Sequence, residues 1–306
     1  MLLAVLSLIT LAMPVTQQTD TVIPVRAGTR LKVENFNGET VVRTWDKSAI
    51  HIVADGDSRS RLDIRNLGSL LTVKSESRYG PPRNVEYEIT VPAKTELDIS
   101  GVYNNVTIEG VQAGINVETV NGDIDVRGGD GNISLKSVEG DVTLSDAKGR
   151  ITLSSVNQDV RLENANGDVT VDAVNGSVTM ERITSASVAA TTVNGDVIYD
   201  GVIQDGGQYT LNTHNGDVSI GMAPTTNATV EVSTFNGEFE TDFPVMLSHT
   251  SRNRFSFVLG TGSSRISLES FQGTIRLHRP GEASRGDRGR SEREKQKYKN
   301  KHRDQE

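Results

Sequence analysis

The sequence predicts an all-β protein: a parallel β-solenoid (β-helix-like) of 18-residue coils, each built from two 9-residue strand-turn units, preceded by an irregular β-rich N-terminal region. Three observations carry this. Asn-Gly turns followed by alternating apolar residues recur, as in "ETVNGDIDV" (Glu118 to Val126), "DAVNGSVTM", "TTVNGDVIY", "NTHNGDVSI" and "STFNGEFET". Units placed on the turn residue begin at Tyr103, Gln112, Asn121, Asp130, Glu139, Lys148, Asn157, Asn166 and Asn175, a constant nine-residue step. The composition, 35% hydrophobic and only 5% aromatic with Val, Ile and Leu dominant, suits many thin strands better than a thick core.

Taken in chain order, residues 1–18 read as a signal peptide. The apolar run Leu2 to Ala12, then Pro14 and a polar stretch, has the length of a secretory core segment and is too short for a membrane span. Cleavage is expected near Thr16 to Gln18; the competing reading is a buried N-terminal strand. The chain has no Cys, which excludes disulfides, thiolate metal sites, a thiol nucleophile and a lipoprotein anchor.

Residues 19–100 read as an N-terminal β-rich region or cap, from "LKVENFNGETVVRTW", "AIHIVA", "LLTVKS" and "VEYEITVP", with "RYGPPRN" as a loop. The Asn37-Gly38 turn resembles a repeat turn, which makes this region an extension of the same body.

Residues 101–279 are the repeat domain. The fourth residue of each unit (Val106, Ile115, Ile124, Ile133, Val142 and onward) and the sixth (Ile108, Val117, Val126, Leu135, Leu144 and onward) are always apolar, so each unit holds a short half-buried strand. The ninth residue alternates in size (Val120, Gly129, Val138, Ala147, Val156, Ala165, Val174), and extra residues enter only at alternate units. The true period is therefore eighteen, with one tight edge and one edge that accepts insertions. The tight turns are Asn121-Gly122, Asn175-Gly176, Asn194-Gly195, Asn215-Gly216 and Asn236-Gly237, with Asn157 in the same column. An antiparallel meander could also use Asn-Gly turns. The odd step from position six to nine favours a corner in a solenoid, which would keep positions four, six and nine all inside, with Asn or Gly in the left-handed region. Whether the coil has two or three sides stays open. The pattern breaks from Asp242 to Gly262, where "RFSFVLGTG" suggests a hairpin that caps the C-terminal end.

Residues 280–306 form a charged tail. From Arg279 onward ten Lys/Arg face six Asp/Glu, about +4, leaving about −12 for the rest of a chain whose total is −8. Such a segment is expected to be disordered, and able to touch anionic polymers. Its Arg285-Gly286-Asp287 tripeptide is too short to signify.

"VENFNGETVVRTWD", "VEYEITVPAKTELDIS" and the "TVNGDI"/"SVEGDV" units resemble the bacterial "putative adhesin" domain, a β-strand-repeat family of unknown function, over about residues 22 to 279. The resemblance implies export and a β-helix-like fold, and brings no catalytic residues.

No catalytic or cofactor-binding residue is assigned. The third position of the tight turns, Asp123, Asp141, Asp159, Ser177, Asp196, Asp217 and Glu238, predicts an acidic column. Adjacent unit charges about 5 Å apart repel by just under about 1 kcal/mol in water, so hydrogen bonds from turn N–H groups or divalent cations must offset them. The former, each Asp accepting from its own turn, is the expectation; a divalent cation on Asp123, Asp141, Asp159, Asp196, Asp217 and Glu238 is the alternative. "GGDGNISL" lacks the aspartate that calcium-binding nonapeptides need. The five His have no metal spacing, and His214 reads as packing. Thr119, Ser137, Ser155, Thr192, Thr213 and Thr234 read as a turn-supporting ladder.

The functional expectation is an exported, non-enzymatic solenoid in the periplasm, at the cell surface or outside the cell. It would act as an adhesin or envelope scaffold whose partner is an envelope or surface protein or polysaccharide, with no specific nucleic acid and no transmembrane span. The alternative is a polysaccharide lyase or hydrolase using Asp/Glu acid–base chemistry; a cleft with convergent carboxylates and an arginine would favour it.

Overall fold

The computed structural model describes residues 16–57, 60–77, 80, 84–246, 249–251 and 253–280. All regular structure among them is strand. The order is β1 (Thr16–Pro24), β2 (Arg30–Trp45), β3 (Ala49–Asp57), β4 (Ser60–Asn66), β5 (Leu70–Ser77), β6 (Val85–Pro92), β7 (Glu96–Glu109), β8 (Ile115–Glu118), β9 (Ile124–Arg127), β10 (Asp130–Ser137), β11 (Val142–Ser155) and β12 (Val160–Ala173). There follow β13 (Val178–Asn194), β14 (Val197–Asn215), β15 (Val218–Gly221), β16 (Ala228–Thr234), β17 (Phe239–Thr241), β18 (His249–Ser251), β19 (Arg254–Leu259), β20 (Ser264–Gln272) and β21 (Ile275–His278). The architecture is β-solenoid-like.

Through the middle, neighbours are parallel and like stacks on like. Ile115 pairs with Ile133, Ile133 with Ile151 and Ile151 with Val169. Val106 pairs with Ile124, Ile124 with Val142 and Val142 with Val160. Each partner is eighteen residues along. The β-branched and leucine side chains of these columns are at most 2% exposed, and burying each contributes about 1.5–3 kcal/mol. Because every side chain meets its own kind above and below, a one-residue slip would turn a whole column to water, which pins the register.

The ends depart from chain order. At the N-terminal end β2 lies inside the stack: Leu31 pairs with Leu71 of β5 on one side and Leu97 of β7 on the other, and Thr40 with Tyr87 of β6 and Val106 of β7. The N-terminal region extends the same body: β2 stacks in parallel on β7, and β5 and β6 in parallel on β2, while β1, β3 and β4 join antiparallel outside the repeat pattern. At the C-terminal end β20 and β21 slip between earlier coils. Tyr209 pairs with Ile266, and Ile266 with Val230; Val218 pairs with Ile275, and Ile275 with Phe239. The Asn236 coil therefore does not lie on the Asn215 coil, as sequential stacking predicted; the Gln272 coil separates them.

Antiparallel strands then cover the outer coils: β4 on β5, β3 on β6 and β1 on β3 at one end, and β19 on β16 with β18 on β19 at the other. The hairpin expected at "RFSFVLGTG" is β18–β19. Such strands satisfy edges that would otherwise template association. The signal peptide expected over residues 1–18 lies outside the described residues up to Val15, and Thr16 to Gln18 open β1. The charged tail lies outside them beyond Pro280.

Candidate functional site

The tight edge is built from five columns that run along the stack. Innermost is the hydroxyl ladder. Ser137 Oγ donates to Gly122 O (3.0 Å), Ser155 Oγ to Gly140 O (3.0 Å), Thr192 Oγ1 to Gly176 O (2.8 Å) and Thr213 Oγ1 to Gly195 O (2.7 Å). Thr119 Oγ1 donates to Asn104 O (3.2 Å). Ser270 of the inserted coil, not singled out from sequence, continues the ladder to Gly216 O (2.8 Å). Thr234 is in the end coil, and its buried Oγ1 has no partner.

Next comes the glycine column. None of Gly122, Gly176, Gly195, Gly216 and Gly237 has a left-handed φ, contrary to the expectation for these turns. Glycine is needed there for another reason. A Cβ on Gly122 would overlap the Asn104 carbonyl, and one on Gly195 or Gly216 the carbonyl of Gly176 or Gly195.

The acidic column is held by the backbone of the next coil. Asp123 Oδ1 accepts from Asp141 N (2.9 Å), Asp141 Oδ1 from Asp159 N (3.1 Å), and Asp159 Oδ1 from Ser177 N (2.8 Å). Ser177 Oγ accepts from Asp196 N (3.2 Å), Asp196 Oδ1 from Asp217 N (2.8 Å), and Asp217 Oδ1 from Thr274 N (2.7 Å). Each aspartate therefore serves the turn above it rather than its own. Glu238 is not the neighbour of Asp217, because Thr274 stands between them. Burial pushes the Asp141 carboxyl up, helped by the charges of Asp123 and Asp159 and opposed by the Asp159 N–H bond. Among the described residues no group of three His, Asp or Glu is placed to hold a metal ion.

Outside these lie an amide ladder and an apolar stripe. Asn175 Nδ2 donates to Asn157 Oδ1 (3.0 Å), Asn194 Nδ2 to Asn175 Oδ1 (2.8 Å) and Asn215 Nδ2 to Asn194 Oδ1 (2.7 Å). Asn121 donates instead to Glu139 (3.2 Å), and Asn236 bonds through its backbone N–H to Phe271 O (3.0 Å). The position-nine valines of this edge point outward, which corrects the expectation that a corner keeps them inside. Val120, Val138, Val174 and Val193 are 39–47% exposed. Their counterparts on the other edge, Ala147 and Ala165, are buried. The stripe continues through exposed His214, whose ring stacks on Phe271 at 4.6 Å, and Phe271 stacks on Phe235 at 4.9 Å. His214 does pack, but on the surface. At ~4.8 Å per coil the stripe from Val120, through half-buried Val156, to Phe235 runs roughly 34 Å.

The other edge turns through a column of left-handed residues: Gly110, Gly128, Asp146, Asn164 and Arg182. Here the insertions converge on a cleft of about 840 Å³, whose lining includes Glu181, Arg182, Asp200, Val202, Asp205 and Pro280. Buried Tyr209 anchors its wall, donating from Oη to Ser185 O (2.6 Å) and accepting from Gln204 N (2.8 Å). Arg182 is bound to Glu163 (2.7 Å) and Glu181 (3.6 Å). Asp205 accepts from Ser263 Oγ (2.5 Å) and Asn227 Nδ2 (3.3 Å).

In-register parallel coils with ladders along one edge and inserted segments on the other define a β-solenoid-like repeat protein. The chain belongs to the Toastrack DUF4097 family, whose profile matches residues 29–278. That membership agrees with the likeness to the bacterial "putative adhesin" domain. No curated protein matches the chain. Among solved structures, a "putative adhesin" from Bacteroides fragilis is similar at 14% identity, over 86% of this chain and 98% of its own, with a TM-score of 0.44. A "putative lipid binding protein" from Parabacteroides distasonis is similar at 10% identity, over 86% and 96%, with a TM-score of 0.41. A "putative cell adhesion protein" from Clostridium sporogenes is similar at 8% identity, over 86% and 99%, with a TM-score of 0.26.

Proposed function

We propose that the protein is an exported, non-enzymatic β-solenoid of eighteen-residue coils that acts as an adhesin-like surface or cell-envelope scaffold, engaging its partner along the tight edge. The observation that carries this is the outward stripe of valine, histidine and phenylalanine. Single exposed apolar side chains are ordinary, but a continuous band is the mark of an interaction surface. The amide ladder beside it offers a regular row of donors and acceptors at the same pitch, so the edge suits a long partner, an envelope protein or polysaccharide, contacted at many weak points. The apolar run Leu2 to Ala12 supports export. Each aspartate of the row from Asp123 to Asp217 takes one backbone N–H of the next turn on its Oδ1, and this reading invokes no cofactor.

The polysaccharide-active alternative would use the cleft of the opposite edge. A glycosidase needs two carboxylates set to face one bond, one as acid and one as base or nucleophile. Glu181 is paired with Arg182, and Asp205 is bound by Ser263 and Asn227, so these groups hold inserted segments together and favour a structural role.

The test is the quadruple variant V120T/V138T/V174T/V193T, which keeps side-chain shape and β-propensity while wetting the stripe. Retention on isolated cell envelope is expected to fall at least tenfold with an unchanged circular dichroism spectrum. Retention equal to the parent's rejects the tight edge as the contact surface.

A further inference from the structure

Seven asparagines of this chain precede a glycine, and six of them stand in coils that have a neighbour on each side. Asn-Gly is the dipeptide most open to attack by its own backbone, because the glycine nitrogen has no side chain beside it to crowd the approach. Stacking fastens the inner turns against that reaction at three points. The amide ladder holds the side chains: Asn194 donates to Asn175 Oδ1, and its own Oδ1 accepts from Asn215. The next coil holds the glycine nitrogen: Gly195 N donates to Asn215 O (3.0 Å) and Gly216 N to Gln272 O (3.0 Å). The hydroxyl ladder closes the turn from inside, through Thr213 on Gly195 O and Ser270 on Gly216 O.

Among the described residues Asn236 has none of these three. Its coil is the last of the stack, and a terminal repeat touches only one coil. The side chain makes no hydrogen bond there and the Gly237 N–H meets no acceptor; only the Asn236 backbone N–H is engaged, by Phe271 O. Thr234 Oγ1, the rung that should close this turn, has no partner. The antiparallel cover stops short of the turn, since β19 pairs with β16 from Ala228 to Ser233 and ends in a bond from Thr234 N to Asn253 O. Of the seven glycines that follow an asparagine, Gly237 is the one that is exposed. We propose that Asn236 is a site of spontaneous covalent modification, at which the chain converts its own asparagine to aspartate and isoaspartate. The Gly237 nitrogen gives its proton to hydroxide and bonds to Asn236 Cγ. The Cγ–Nδ2 bond breaks, and the amide nitrogen leaves as ammonia with a proton from water. Water then opens the five-membered imide at one of its two carbonyls, so the net change is one water taken up and one ammonia released, with no oxidant or reductant. Opening at the main-chain carbonyl leaves isoaspartate, which puts an extra methylene into the backbone between Phe235 and Gly237. Either product adds a negative charge beside Glu238. Local opening costs less at a free end than within the stack, so the inner turns are spared. The change is irreversible and accumulates at the C-terminal end of the apolar stripe, whatever that edge binds.

Ageing the full chain in mildly alkaline buffer tests this, read by peptide mapping with a fragmentation method that separates isoaspartate from aspartate. Asn194 and Asn215 are controls within the same molecule, and a sample unfolded in urea shows what the dipeptide does without stacking. In the folded chain Asn236 is expected to convert at least tenfold faster than Asn194 or Asn215. Isoaspartate should be among its products, with oxygen from isotopically labelled water in the new carboxyl group. In urea the three sites should convert within threefold of one another. The proposal is overturned if Asn236 of the folded chain converts no faster than the two inner sites, if its product holds no isoaspartate, or if a tenfold lead persists in urea.

Discussion

At the tight edge the chain reverses through Gly122, Gly176, Gly195 and Gly216 with ordinary φ and no room for a Cβ, whereas at the variable edge it reverses through Asp146, Asn164 and Arg182 with left-handed φ and side chains projecting outward. One edge is limited by contact between coils and the other by local backbone conformation. The contact limit recurs at Gly122, Gly140, Gly176, Gly195 and Gly216, each set against the carbonyl of the coil before, although Gln158 stands in the same column; the tight edge is therefore the more uniform of the two and carries the ladders, with gaps at Ala173 and Glu139. A local conformational limit concerns only the residue itself, so the variable edge can open to admit the segments that build the cleft. Repetition on one side and variation on the other follow from that single difference.

The sharpest way to break this comparison is to add one methyl group to each edge. Gly195→Ala drives a Cβ into the Gly176 carbonyl, and since backbone cannot move aside without parting two coils, the expected cost is about 3 kcal/mol or more. Gly206→Ala, at φ 77° with no heavy atom within 4 Å of the new carbon, meets only the left-handed penalty of about 1–2 kcal/mol. Urea denaturation of both variants reads the difference. Equal losses would mean that the tight edge relaxes around the added carbon, and that contact does not set its uniformity.

A smaller effect separates the inner ladder from the outer surface of the same edge. Thr192 is buried and donates to Gly176 O at 2.8 Å; Thr191, its neighbour in sequence, is exposed. Thr192→Val keeps shape but strands a buried carbonyl, at an expected cost of about 1–2 kcal/mol. Thr191→Val should stay within about 0.5 kcal/mol of the parent. A null result at Thr192 would show that water reaches the Gly176 carbonyl, and that the hydroxyl ladder is not what closes the turn.

Much of this was legible in the residues, and the parts that were not share a cause. The inward columns at Ile115, Ile133, Ile151 and Val106, Ile124, Val142 are written in the nine-residue pattern because burial acts on each position separately. Order along the stack is different. "LESFQGTIRL" (Leu268 to Leu277) and "VENFNGETVV" (Val33 to Val42) follow the other tight-turn units at most positions, with Asn35, Thr40 and Thr274 as departures, so the repeat pattern alone does not say that β20–β21 and β2 lie one coil inward from the ends. Equivalent coils fit any neighbour equally well, and the choice is made by the connecting segments between them. The outward valines were misplaced for a related reason: periodicity records that position nine is apolar, but not which way the corner turns it. Val120 and Ala147 hold equivalent slots, yet one faces water and the other the core. The acidic column was visible, but its partner was not, since the donor to Asp123 is the N–H of Asp141, eighteen residues away.

That column supplies the smallest effect and the one with a pH signature. The Asp141 carboxyl is held above its ordinary range first by burial, with the Asp123 and Asp159 charges adding to it, so the folded chain binds this proton more tightly than the unfolded chain does. The ionised group therefore weakens the fold at neutral pH; the penalty fades as pH falls through the raised folded value and is gone below the unfolded value of roughly 3.9. What the turn needs from Asp141 is the acceptor Oδ1 for Asp159 N at 3.1 Å, which an amide supplies equally well. Asp141→Asn should accordingly raise the melting temperature at pH 7 and low salt by an amount worth less than about 1 kcal/mol. The gain should shrink with added salt and vanish as the parent and variant curves converge in acid. The same replacement on the variable edge, Asp146→Asn, removes a charge that lies 3.9 Å from Arg127, and should bring no gain at any pH. If Asp141→Asn instead destabilises the protein at pH 7, the column depends on its charge rather than on its acceptor oxygens, and a bound cation along the tight edge becomes the better account of why so many aspartates stand in one row.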